Sequence, residues 1–184
     1  MTEDERLAAP ESGYINWHRF MLLPLLLAPL CCAAADPHVH GVATLQIAVD
    51  GKRLQLHLES PLDSLLGFEH MPRTAQQKSA VRSMERQLRQ AEKLFYPSPR
   101  AACSLQSVSL ESPVLKAEKH QEAHDHADLD GKFVFTCAKP EELRTIEVRL
   151  FEAFPGLRQL KTEAATPRGQ KAATLTPKQR KISW

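Results

Sequence analysis

A chain of 184 residues with 42% apolar content is long enough to bury one compact domain and little more. Its 24 Lys and Arg against 22 Asp and Glu leave a formal net charge of +2, with both signs interspersed. Such a balance offers no basic face or arm, so nucleic acid is not expected as a partner.

The amino-terminal segment reads as an export signal. Phe20 to Leu30 is FMLLPLLLAPL, eleven residues, whereas a membrane-spanning helix needs about 20. The run suits the apolar core of a signal peptide, and Ala33, Ala34 and Ala35 supply the small residues of a cleavage site. Cleavage there divides the chain into a signal peptide over 1–35 and a mature domain over 36–184 that is not inserted in a membrane. Glu3, Asp4, Glu5 and Glu11 are unusual ahead of such a run and point to a true translation start downstream of Met1. A lipoprotein is disfavoured, because Leu30 and Cys31 stand before Cys31 and Cys32 where a lipid-attachment site wants a small residue.

Losing residues 1–35, which carry two basic and four acidic side chains, raises the net charge from +2 to +4. It also leaves two cysteines, Cys103 and Cys137. An even pair in an oxidising compartment suggests a disulfide, worth on the order of 3 kcal/mol in the chain-entropy model. Spacing alone leaves the pairing open.

The mature chain begins with two strands. Ala43, Leu45, Ile47 and Val49 alternate on one face, Asp50-Gly51 signals a hairpin, and Leu54, Leu56 and Leu58 resume the alternation. Leu62 to Phe68 reads as a helical turn closed by Gly67. From Thr74 to Phe95 the period changes: Val81, Met84, Leu88, Ala91 and Leu94 recur at spacings of three and four, as in a long amphipathic helix. Cys103 to Leu115 returns to strand-like composition. The polar, histidine-rich loop 116–130 follows, ending in the turn signal Asp130-Gly131. Short strands are expected over 132–137, 145–150, 158–164 and 171–175. The order predicts an α+β fold, mainly an antiparallel sheet with one long amphipathic helix and a His-rich loop.

Seven of the eight histidines lie beyond the signal. Imidazole is a common zinc ligand, neutral near physiological pH. In extended chain, residues two apart point to the same side, so His38 with His40, and His124 with His126, can each present two nitrogens to one ion. On a helix His120 and His124 would also share a face. Glu118, Glu122, Asp125, Asp128 and Asp130 surround the second cluster, where carboxylates can ligate or orient an imidazole. The candidate metal ligands are therefore His38, His40, His120, His124, His126, Asp125 and Asp128. His57 alternates with Leu56 and Leu58, so it projects from the face opposite the core and reads as an ordinary exposed strand residue. His70, between Gly67 and Pro72, either completes a metal site or caps the following helix.

No His-Glu-X-X-His, Gly-X-Ser-X-Gly or phosphate-cradling glycine loop is present, and an enzyme is not expected. The segments HVHGVATLQIAVDG, LHLESPLDSLLGFEHMPRT, HDHADLDGKFVFTC, VRLFEAFPGL and TPRGQKAATLTP together resemble the ZrgA-like family of bacterial periplasmic zinc uptake proteins, over nearly the whole mature chain. The resemblance implies a periplasmic zinc-binding accessory protein that works with a zinc ABC importer or its solute-binding protein. It matches His38 and His40 to an amino-terminal His pair, and His120, His124 and His126 to a histidine-rich loop shorter here than is common in the family. From the residues alone two other readings stay open. One is an envelope interaction protein with incidental histidines, and the other is a copper- or nickel-binding protein.

Overall fold

The computed structural model describes residues 39–116 and 127–184. The expected signal peptide, His38 and the stretch 117–126, with His120, His124, Asp125 and His126, lie outside the described residues.

Strands β1 (Val42–Asp50) and β2 (Arg53–Pro61) form the expected hairpin. Asp50 opposes Arg53, so Gly51 and Lys52 make the turn, with Gly51 at a φ of 52° that a side chain would resist. Leu45 faces Leu58 and Ile47 faces Leu56, all buried. At Pro61 the chain leaves the sheet for the short helix α1 (Leu62–Leu66), which closes at Gly67 with a left-handed φ of 77°.

Helix α2 (Ala75–Arg89) starts at a capping box. The Thr74 hydroxyl accepts the Gln77 backbone N–H at 3.1 Å, and the Gln77 side-chain oxygen accepts the Thr74 N–H at 3.1 Å. Val81, Met84 and Leu88 form its buried stripe. The helix stops at Arg89, short of the Phe95 that the periodicity reached. Gln90 leaves helical geometry, Ala91–Lys93 make a single 3-10 turn, and Phe95 already belongs to strand β3 (Phe95–Pro97). Ala91 and Leu94 are buried as the spacing required, but burial at that spacing does not need one continuous helix. The pairing of Phe95 with Val148 wins instead.

Strands β4 (Cys103–Glu111) and β5 (Asp128–Cys137) pair antiparallel. Here Asp130-Gly131, a turn signal in the sequence, lies inside β5. Gly131 faces the core between Leu58 and Leu110, and a Cβ there would come within 3.2 Å of the Phe133 ring. The glycine serves packing rather than a turn, so Asp128–Asp130 belong to the sheet and not to the loop.

After β6 (Thr145–Val148) and helix α3 (Leu150–Ala153) come β7 (Gln159–Thr166), β8 (Gly169–Leu175) and β9 (Lys181–Ser183). The six-stranded sheet runs β4-β5-β2-β1-β7-β8 and a small sheet runs β3-β6-β9. All pairs are antiparallel except β1 with β7, whose parallel run is permitted by the long crossover between them. The architecture is thus mainly β and mostly antiparallel, with few helices.

One face of the large sheet joins α2 and the small sheet in a single core, where the rings of Phe95 and Phe133 approach to 5.0 Å. Each such fully buried side chain contributes about 1.5–3 kcal/mol. The opposite face carries Gln46, Ala48, Gln55, His57 and Glu163 along an open groove of about 640 Å³. Among the described residues no helix is long and apolar enough to cross a membrane.

Candidate metal centre

His40 is the one member of the amino-terminal His pair within the described residues, and the fold holds it at both ends of its peptide. The Arg158 guanidinium donates to the His40 carbonyl at 2.9 Å. The next residue, Gly41, donates its N–H to the buried Ser64 hydroxyl at 3.0 Å, and its carbonyl accepts the N–H groups of Arg158 and Gln159 at 2.8 and 2.9 Å. Gly41 takes a φ of 79°, and a Cβ on it would come within 2.4 Å of the Arg158 guanidinium. Glycine alone lets the arginine reach across to His40.

The imidazole so placed stands between two carboxylates. Nδ1 lies 3.5 Å from Asp63 Oδ2 and Nε2 lies 3.4 Å from Glu69 Oε1. Asp63 comes from the first turn of α1, and Glu69 follows the Gly67 cap. His40 is exposed, whereas Glu69 is largely buried. A histidine facing water with an anionic group at each nitrogen is an entry point for a divalent cation, since both carboxylates raise the local cation concentration and either can ligate.

The described chain on the carboxy-terminal side of the histidine-rich stretch begins at the same corner. It stops at Lys116, after the 3-10 turn Pro113–Leu115, and resumes at Ala127. Leu62 donates its N–H to the Ala127 carbonyl at 3.0 Å, and Asp128 pairs with Pro61. Ala127 is thus bound to the residue immediately before Asp63. Asp128 itself is partly buried at the first position of β5.

Within the described residues, His70, the two cysteines and His57 fall elsewhere. His70 does not cap α2, a role Thr74 fills. Its Nδ1 donates to the Met71 carbonyl at 2.9 Å, and its ring lies 5.2 Å from that of Phe68. Cys103 and Cys137 are direct register partners and form a disulfide, which removes both as thiolate ligands. His57 projects from the face opposite the core, as its alternation requires, but it is not a bare surface residue. It is half-buried, with Nε2 donating to Asp130 Oδ2 at 2.7 Å and standing 3.8 Å from Glu59 Oε1.

Sequence reasoning missed Asp63 and Glu69 beside His40, because nothing in local spacing brings residues so far along the chain to one ring. Glu59 was within reach: it stands two residues from His57 on a strand, the same spacing that drew attention to the His-X-His pairs.

A family model described as ZrgA family zinc uptake protein matches residues 37–184. No curated protein matches the chain.

Proposed function

The chain belongs to the ZrgA family of zinc uptake proteins, and from that membership we propose that it captures Zn²⁺ in the periplasm and passes the ion to a zinc ABC importer or its solute-binding protein. The family is one of metal uptake and not of enzymes. Capture falls to His38 and His40 together with His120, His124 and His126, assisted by Asp125 and Asp128.

The observation that carries this reading is the corner around α1. His40 is anchored there between Asp63 and Glu69, and Ala127, the first described residue after the histidine-rich stretch, is bonded to Leu62. Zinc prefers about four ligands of nitrogen, sulfur or oxygen type. Asp63 and Glu69 stand at opposite ring nitrogens of His40, so one ion takes the imidazole with at most one of these carboxylates, and further imidazoles would complete the set. An ion held in part by separate histidines can be surrendered ligand by ligand, which transfer to a second protein requires. Delivery from outside the cytoplasm fits the export signal expected at 1–35 and the disulfide, a bond rare in reducing compartments.

Zinc titration into the exported protein tests the assignment. Replacing His120, His124 and His126 together by Ala, and separately His38 and His40, is expected to weaken or remove a zinc equivalent in each case. Unchanged affinity and stoichiometry in both variants would contradict capture by these clusters.

A further inference from the structure

We propose that His57, Glu59 and Asp130 form a second zinc site on the open face of the large sheet, separate from the capture corner. His57 and Glu59 are two apart on β2 and so share a face, and Asp130 of β5 lies directly opposite Glu59. One ligand atom from each residue lies within 4.8 Å of the other two.

The distances suit the ion. Two ligand atoms each about 2.1 Å from a tetrahedral zinc lie about 3.4 Å apart. His57 Nε2 stands 2.7 Å from Asp130 Oδ2 and 3.8 Å from Glu59 Oε1. These values bracket that separation and need only small side-chain rotations to meet it. Zinc would take the place of the proton that Nε2 now donates to Asp130, and the neutral ring keeps its single proton by carrying it on Nδ1 instead, exchanged through solvent.

A second observation points the same way. Asp130 faces Glu59 on one side and Glu111 of β4 on the other, so three carboxylates stand in one row across adjacent strands. Like charges directly opposed in a sheet are destabilising, and such a row calls for positive charge. Lys132 supplies some, with Nζ 3.6 Å from Asp130 Oδ1. It engages the oxygen that does not face His57, so it steadies the carboxylate without occupying the position for the ion.

One histidine and two carboxylates leave a tetrahedral ion with one position that no described residue fills. An open position marks exchange rather than a closed structural site. His57 also lines the open groove of about 640 Å³, together with Ala48, Gln55 and Ala165 and the charged Lys132, Glu163 and Lys171. The ion is therefore accessible to an incoming ligand from that side.

Zinc chloride titrated into a variant with His38, His40, His120, His124 and His126 all changed to Ala is expected to show one remaining bound ion. Adding His57→Ala should remove it, with the circular dichroism spectrum unchanged. Glu59→Gln with Asp130→Asn, which preserves volume, should remove the same ion, so a folding defect in one variant does not shield the site. Zinc should raise the melting temperature of the five-histidine variant and leave that of both further variants unmoved. An ion retained after both sets of changes overturns the site. A five-histidine variant that binds nothing, while the intact chain binds zinc, also overturns it and leaves the capture clusters standing. An intact chain that binds no zinc overturns both.

Discussion

Arg158 and His40, 118 residues apart, are joined by a hydrogen bond from guanidinium to carbonyl at 2.9 Å, and that bond crosses a residue that can only be glycine. It converts a histidine near the expected mature terminus, where chains tend to fray, into a fixed group facing Asp63 and Glu69. The cost of ordering the ligand is met in folding rather than at the moment zinc binds.

Supports that orient metal ligands typically matter about 10–100-fold in affinity. Arg158→Ala is therefore expected to weaken zinc binding by about tenfold or more at the His40 corner while leaving the fold intact, because among the described residues the arginine's side chain bonds to a carbonyl near the surface. Calorimetric titration with zinc reads the change. Ser64→Ala should act on the same site and also cost about 1–3 kcal/mol of stability, since it strips the buried Gly41 N–H of its acceptor.

Gly156→Ala probes the corner from behind. A Cβ at Gly156 would come 2.7 Å from the Ser64 carbonyl, a backbone atom that cannot swing aside. Overpacking of this kind costs about 1–3 kcal/mol, so a lower midpoint in urea is expected. Displacement of Ser64 should also loosen Gly41, and a drop in zinc affinity is expected to accompany the loss of stability. Gly51→Ala, at the hairpin turn where a Cβ meets nothing within 4 Å, serves as the control: it should cost stability through its positive φ alone and leave zinc affinity unchanged.

The disulfide joins residues 34 apart, and closing a loop of that length is worth about 3–4 kcal/mol in the chain-entropy model. Cys103→Ser combined with Cys137→Ser should lower stability by that order in denaturant unfolding. Because neither sulfur is a thiolate ligand in the oxidised protein, zinc stoichiometry of the refolded double variant should equal that of the parent.

Periodicity and turn chemistry made much of the scaffold legible. The Asp50-Gly51 hairpin, the Gly67 stop and the Thr74 start of α2 follow from local rules. Two readings failed for one reason, which is that tertiary packing overrode a local signal. Leu94 kept its helical spacing after the helix had ended, because a 3-10 turn buries it as well. Asp130-Gly131 resembled a turn but is mid-strand, because the Phe133 ring takes the space a side chain at 131 would fill. The parallel pairing of β1 with β7 has no sequence signature, since both strands alternate in the ordinary way. At the site, His40 was legible as a candidate and its surroundings were not. Asp63, Glu69, Ser64 and Arg158 reach it only through the fold. His57 was read as ordinary because its strand was considered alone, whereas its partner Asp130 lies 73 residues away.

Metal content of the protein isolated from the periplasm of cells grown in limiting zinc bears most directly on a role in zinc uptake. At least one equivalent of zinc is expected, in clear excess over copper and nickel, and it should fall when His38, His40, His120, His124 and His126 are replaced. Protein that emerges free of metal, or loaded with copper or nickel instead, would contradict zinc capture.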